Sequence, residues 1–259
     1  MKQPLKGPKR AERNDQRGRE QQELAFWATS ETERPGVDSL DVFTNKMSEA
    51  RVLLEKLAAF KDVFSNAETI IELGGGQCWA SCIVRREFPH AHTIVGTDIA
   101  RDAVVSVRRW AAALNASPDA AMACRSNQLP FANGSVDLIF VFAAAHHFGT
   151  HRQTFQEIQR VLRSGGTALY LHEPSCNKWI YPFAYRRVTA KRPVVPEDVL
   201  RIDDIRRLAI EAALVPTMLA APTTTYRGAV ETVYYLVLQR IRVLQRILPC
   251  TADFVFTKP

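Results

Sequence analysis

Three sets of residues in this 259-residue chain have the types and spacing for chemistry. The first is Glu72-Leu73-Gly74-Gly75-Gly76, a carboxylate followed by three glycines. Glycines let a backbone turn sharply and approach a ligand, and the carboxylate sets a negative charge at that turn. The second is Asp98, twenty-two residues after Gly76, whose two oxygens suit the paired hydroxyls of a ribose. The third is the adjacent pair His146-His147, with His172-Glu173 further along. An imidazole titrates near neutrality, so either histidine of the pair can take a proton from a hydroxyl or an amine. His172 or Glu173 can orient a substrate or serve as that base. The plainer alternatives are an ordinary tight turn at the glycines and a histidine that only caps a strand end.

The flanking elements must position these groups. Within residues 69–73, Ile70, Ile71 and Leu73 are apolar and mostly β-branched, which predicts a central strand. Residues 79–87 place Ala80, Ile83 and Val84 at helical spacing. A strand, a glycine loop and a helix open a nucleotide-binding α/β fold. A dinucleotide needs a small residue where Trp79 stands, and its pyrophosphate would meet the charge of Glu72. A ligand with a sulfonium and an amino group, and without phosphate, fits better. S-adenosylmethionine has both.

Further strands are predicted over 93–99, 121–124, 136–144 and 167–171, with shorter ones near 216–221 and 253–256. Helices are predicted over 103–114 and around Phe155, Ile158, Val161 and Leu162, the latter ending in a glycine cap at 163–166. Ligands in open α/β sheets sit at the carboxyl ends of parallel strands. Glu72, Asp98, His146 and Glu173 all fall at such ends.

With these motifs in place, the chain resembles the class I S-adenosylmethionine-dependent methyltransferases, in their small-molecule, type 11-like group. Glu72-Leu73-Gly74-x-Gly76, the acidic strand end at Asp98, Leu129-Pro130-Phe131 and Asn133-x-Ser135-x-Asp137 carry the resemblance. Glu157-Ile158-x-Arg160-Val161-Leu162-x-x-Gly165-Gly166 adds a packing and turning signature. The resemblance covers residues 67–174 well and the remainder loosely. It implies a doubly wound, seven-stranded, mostly parallel sheet of Rossmann-like type, with the last strand antiparallel and helical lid insertions. It also implies S-adenosylmethionine as cofactor, with Glu72, Gly74, Gly75 and Gly76 around the methionine part, Asp98 on the ribose and Ile99 beside the adenine. An acid usually holds the adenine amino group; Arg125 stands in that place, so Ser126 and Asn127 are the substitutes. Cys78 replaces a common third glycine. The implied reaction is in-line displacement of the sulfonium methyl by an acceptor oxygen, nitrogen or carbon, with His146, His147 or Glu173 as the base. Alignment supplies much of the rate gain, so no metal is required. Two rivals are a cofactor-binding protein of this fold without turnover and an RNA methyltransferase. Against the second, Ala144-Ala145-His146-His147 stands where amino-directed nucleic-acid enzymes have Asn/Asp-Pro-Pro-aromatic.

Composition narrows the partners. The net charge is +7, and the first twenty residues hold seven Lys or Arg against three acids, so the rest carries only about +3. A mildly basic folded part argues against nucleic acid. Five cysteines without a CxxC pair predict reduced thiols and a cytoplasmic setting. Cys78 and Cys82 read as buried thiols at helical spacing rather than as a metal pair. A signal peptide is not visible, and no apolar run reaches the about 18–20 residues of a membrane span.

Residues 1–22 read as a disordered basic tail, and 23–259 as one domain with a cofactor-binding core at about 67–174. Asp38 or Ser39 would cap a helix before the first strand, with a stripe of Leu40, Phe43, Met47, Ala50, Leu54 and Leu57. Phe26 and Trp27 are candidates to line the cleft. Lid insertions are placed at about 175–200 and 225–249. The first mixes Trp179, Tyr181, Phe183 and Tyr185 with Lys178, Arg186, Arg187, Lys191 and Arg192. Those cations favour a small-molecule acceptor that is anionic or amphipathic. The second carries a helix over 229–248 that can cover an apolar substrate, pair with a subunit, or make a peripheral membrane contact. Packing against its own domain is the first expectation. The oligomeric state is not legible.

Overall fold

Alternating side chains along the strands feed two separate cores, one on each face of a single sheet. Ile71, Ile139, Val141, Ala168 and Tyr170 pack on one face against Phe155, Ile158, Ile205 and Ala209. Ile70, Ile94, Leu138, Phe140 and Leu169 pack on the other against Leu53, Leu57, Phe64, Ile83 and Val84. Burial on both faces explains why these strands read as continuous apolar runs. The computed structural model describes residues 10–30, 40–190, 198–223 and 228–259.

The chain order is α1 (Arg10–Thr29), α2 (Leu40–Ala59), α3 (Lys61–Ser65), β1 (Thr69–Leu73), α4 (Trp79–Glu87), β2 (Thr93–Asp98), α5 (Arg101–Val105), α6 (Val107–Leu114) and β3 (Ala120–Ala123). Then come β4 (Val136–Phe142), a 3-10 turn (Ala145–His147), α7 (His151–Val161), β5 (Leu162–Cys176), α8 (Tyr181–Thr189), β6 (Leu200–Arg201), α9 (Ile202–Glu211), β7 (Val215–Ala220), α10 (Ala229–Arg240), a second 3-10 turn (Arg242–Arg246) and β8 (Cys250–Thr257).

The sheet runs β3-β2-β1-β4-β5-β8-β7, with β6 paired to β5. Pairs among β1 to β6 are parallel, while β8 is antiparallel to both β5 and β7. The strand order reverses between β1 and β4, and such a switch point opens a crevice at the carboxyl ends of the strands. The glycine loop leaves β1 there and the histidine pair follows β4.

Several expectations are corrected. Among the described residues the sheet has eight strands, not seven, because Leu200 and Arg201 pair with Ser175 and Cys176. Helix α7 does not end in a glycine cap: Leu162 is already extended, and Val136 pairs with it in the sheet. A helix spans Arg10–Thr29, overlapping the stretch read as a disordered tail; residues 1–9 lie outside the described residues. The helix expected over 229–248 breaks at Ile241 (φ −114°, ψ 85°) into α10 and a 3-10 turn. Of the expected stripe on α2, Leu57 is buried and Ala50 packs against the core, but Phe43, Met47 and Leu54 are exposed, and Val52, Leu53 and Lys56 are buried in their place. Lys56 turns inward because Asp253 waits there for its charge. Asp38 and Ser39, the proposed caps, lie outside the described residues, as do Lys191 and Arg192.

Candidate functional site

The glycine loop is bare because three neighbours crowd it. Gly74 and Gly76 take positive φ, +69° and +54°, which glycine adopts freely. A Cβ on Gly74 would meet the Ala144 Cβ at 3.0 Å and the Phe148 ring at 3.1 Å. The loop therefore lies hard against the end of β4. Gly75 N–H donates to the Thr97 carbonyl at 2.8 Å, and Gly76 N–H to Asp98 Oδ2 at 2.8 Å. Asp98 Oδ1 accepts from Ala100 N–H at 2.8 Å. Burial raises the Asp98 carboxyl, and the backbone donors of Ala100, Gly76 and Ile99 pull it back. Ile99, half-buried, follows directly.

Glu72 is not at the rim. Its carboxylate lies under the loop, 2.7 Å from where a Gly75 Cβ would stand, and is 2 % exposed. It accepts hydrogen bonds from the Ser81 N–H at 3.0 Å and from the Ser81 hydroxyl, in the first turn of α4. Burial pushes its pKa up to about 7, against the pull of the two Ser81 bonds. Its place is that of an anchor joining the loop to the N-terminus of α4, where a carboxylate is favoured. Cys78 takes a left-handed φ of 55°, and its Sγ fills the space left by Gly96. Cys78 and Cys82 are buried, and burial pushes both thiols up, that of Cys82 to about 12.

On the adenine side, Ser126 and Asn127 turn their side chains to α7. Ser126 Oγ lies 3.0 Å from Thr154 Oγ1, and Asn127 Nδ2 donates to Thr150 Oγ1 at 3.0 Å and Gln153 Oε1 at 3.2 Å. Arg125 Nε pairs with Glu20 of α1 at 3.0 Å. The helix signature also acts on this segment: Glu157 Oε2 accepts from Leu129 N–H at 2.8 Å, while Arg160 donates to the Leu129 and Phe131 carbonyls. These bonds latch the Leu-Pro-Phe loop to α7.

Helix α1 lies along the mouth of this cleft. The Trp27 ring sits 2.7 Å from where a Gly76 Cβ would stand, Glu23 lies 3.8 Å from His147 Nδ1, and Arg19 reaches Asp198 at 3.6 Å. The Trp27 indole N–H is buried without a partner. Bare glycines at 74–76, the Asp98 carboxylate and this indole make a cradle that fits an adenosine-bearing ligand.

His146 is held by Glu173, which is fully buried. Its Oε1 accepts from Ala144 N–H at 2.9 Å and Ala145 N–H at 2.8 Å; Oε2 accepts from His146 N–H at 3.2 Å and lies 2.8 Å from His146 Nδ1. Glu173 reaches this turn because the β5–β8 register shifts between Tyr170 and Glu173, with His172 at φ 59°. His172 N–H donates to Asp253 Oδ1 at 2.9 Å, and its Nδ1 lies 2.8 Å from Thr223 Oγ1. Asp253 in turn pairs with Lys56 Nζ at 2.7 Å in the interior. Burial raises the Asp253 carboxyl and Lys56 opposes that rise. Sequence reading missed this pair, although an acid in the run Asp253-Phe254-Val255-Phe256 was a signal. It also missed His151, whose buried Nδ1 has no partner and whose pKa burial lowers to about 4.

A cavity of about 230 Å³ opens beside the histidines. His146, His147 and His172 line it with Glu49 of α2, Arg187 of α8, and Glu231, Tyr234 and Tyr235 of α10. The Arg187 guanidinium lies over the Tyr234 ring at 5.4 Å, joining the two covering helices. The proposed base and the proposed lids thus share one space, while Asp98 and the glycine loop form a separate cradle across the end of β4.

A family profile described as a methyltransferase domain matches residues 71–170. No curated protein matches the chain. Among solved structures, the geranyl diphosphate C-methyltransferase of Streptomyces coelicolor A3(2), in complex with Mg2+, geranyl diphosphate and S-adenosyl-L-homocysteine, is similar with a TM-score of 0.66. It is 14 % identical, with 93 % of this chain and 98 % of that one covered. A geranyl diphosphate methyltransferase in complex with SAM gives a TM-score of 0.60 at 15 % identity, covering 82 % of this chain and 90 % of that one. The YcgJ protein of Bacillus subtilis gives 0.56 at 14 % identity, covering 83 % and 99 %. At such identities the structures establish the fold, and the family profile establishes the domain. Over residues 71–170 the chain carries a methyltransferase domain, on a fold it shares with a methyltransferase solved in complex with SAM.

Proposed function

We propose that this protein is an S-adenosylmethionine-dependent methyltransferase acting on a small amphipathic acceptor of lipid or sugar type, bearing an anionic group and held in the cavity beside His146. The observation that carries the reading is the buried Glu173–His146 contact of 2.8 Å at the cavity wall. A carboxylate on Nδ1 holds the ring as the tautomer with its basic lone pair on Nε2. His146 so placed takes a proton from the acceptor's hydroxyl or amine, and Glu173 steadies the imidazolium that forms. His147, with its ring centroid 4.1 Å from that of His146, orients the acceptor. Asp98, Gly74, Gly75, Gly76 and Ile99 hold the cofactor, which supplies an electrophilic methyl group. Glu72 keeps the loop in shape from below, and Ser126 and Asn127 tie the adenine-side loop to α7.

Arg187, beside three histidines, supports an anionic acceptor, and Tyr234 and Tyr235 support an apolar body. The geranyl diphosphate bound in the Streptomyces enzyme is an amphipathic anion on the same fold. In this reading one domain runs from residue 23, with its core at about 67–174 and its covering insertions at about 175–200 and 225–249.

The test is mass spectrometry of products after incubating the protein, labelled S-adenosylmethionine and a panel of isoprenoid phosphates, sugar acids and lipid-linked sugars. A labelled product is expected, and His146→Gln should lower kcat about 100-fold with cofactor affinity kept. S-adenosylhomocysteine at a hundred times its Kd should stabilise the fold by about 2.7 kcal/mol. Ligand-induced stabilisation without product from any acceptor would favour the non-catalytic binding protein.

A further inference from the structure

We infer that the face made by α8, α10 and the following 3-10 turn docks on an anionic phospholipid bilayer. Large apolar side chains are normally covered, yet on this face they stand in water. Trp179 and Phe183 are 63 % and 73 % exposed, and Val230, Val233 and Val243 are 82 %, 58 % and 59 % exposed. Leu238 is the one buried residue of α10. The elements abut: Asn177 Nδ2 donates to the Arg246 carbonyl at 2.5 Å, and Arg187 covers the Tyr234 ring. Their apolar residues therefore belong to one region of the surface.

Charge selects the occupant. Residues 177–190 and 228–248 hold six cations, Lys178, Arg186, Arg187, Arg240, Arg242 and Arg246, and one acid, Glu231. Lys178, Arg186, Arg240, Arg242 and Arg246 are exposed among the apolar residues. Apolar side chains interleaved with arginines suit the headgroup region of an anionic leaflet, where aromatic rings also settle. A second copy fits worse, because a two-fold contact sets a patch against itself and would bring these cations together. The same helices line the cavity, through Arg187, Tyr234 and Tyr235, so docking brings its wall to the lipid surface. No described helix is long and apolar enough to cross a membrane, which suits a protein lying on one face. This inference does not depend on the acceptor reading, since lipid binding is measured without cofactor or acceptor.

The experiment is sedimentation of the full chain with vesicles of phosphatidylcholine alone or mixed with phosphatidylglycerol, at low and high salt. Binding is expected to the mixed vesicles at low salt and to be lost at high salt. Arg240→Gln, Arg242→Gln and Arg246→Gln combined should weaken it on the order of 100-fold. Val233→Asp with Leu236→Asp should abolish it while leaving the circular dichroism spectrum and the melting temperature unchanged. Failure of the wild type to sediment with the mixed vesicles would overturn the inference. So would binding that survives both variants, which would assign it to another basic segment such as residues 1–20. A dimer in ultracentrifugation that the aspartates dissolve, without vesicle binding, would replace the bilayer with a second copy.

Discussion

Glu72 and Asp98 are both strand-end carboxylates, yet their surroundings give them different work. Glu72 is sealed under Gly75 and bonded to Ser81, whereas Asp98 binds the Gly76 and Ala100 N–H groups beside the cleft. Asp98→Ala should therefore weaken S-adenosylhomocysteine binding about 10- to 100-fold by calorimetry, and His146→Ala should leave it nearly unchanged. Equal losses would mean that cofactor binding and proton transfer are not divided as described. Glu72 has a pH signature. Burial pushes its carboxyl up to about 7 in the fold, from an ordinary 4.5. Between those values the folded chain keeps a proton that the unfolded chain has released, so stability is fullest below the window and falls as pH rises through it. Glu72→Gln carries no such penalty. From about pH 5 to about pH 8 its stability relative to the wild type should improve by on the order of 3 kcal/mol. A pH-independent difference in urea midpoints would show that Glu72 is not proton-linked to folding.

At the scale of elements, a buried ion pair holds α2 to the strand that steadies His172. Lys56 and Asp253 are 4 % exposed each, and Asp253 also accepts the His172 N–H. Breaking such a pair strands a charge in the interior. Lys56→Ala should cost about 3–5 kcal/mol in denaturant unfolding. Lys56→Met with Asp253→Asn should recover much of that loss, because the amide oxygen still accepts from His172. A second close fit joins β2 to α4, where a Cβ on Gly96 would stand 2.7 Å from Cys78 Sγ and 3.0 Å from Ser81 Oγ. Gly96→Ala should destabilise by about 1–3 kcal/mol, and less in a Cys78→Gly background, where the sulfur is gone and the left-handed φ is relaxed.

Across the whole molecule, α1 is a strap rather than a part of either core. It reaches Gly76 through Trp27, Arg125 through Glu20, His147 through Glu23 and Asp198 through Arg19. Neither core cluster draws on its described residues. A chain lacking residues 1–30 should keep its far-ultraviolet spectrum and cooperative melting, and should bind S-adenosylhomocysteine about tenfold more weakly, a change of 1.4 kcal/mol. Unchanged affinity would show that Trp27 does not contribute to the cofactor cradle.

The division between what sequence determines and what tertiary structure decides follows from the range of the interactions. β1, the glycine loop, α4 and the acid at Asp98 were legible, because strand period, glycine turns and helical spacing are local signals. The bounds of α4 match the sequence reading at Trp79–Glu87 for that reason. The Glu157–Arg160 signature was legible too, and its latch on Leu129 gives it a physical cause. Other decisions needed partners far along the chain. Lys56 turned inward because of an aspartate 197 residues away, and that rotated the buried face of α2. Glu72 found Ser81 beneath the loop, and Ser126 and Asn127 found α7, so side chains read as ligand contacts also tie the fold together. The stripe of α10 announced an apolar face, but periodicity does not say what will cover it. The fold left most of that face in solvent, beside the cavity and among arginines.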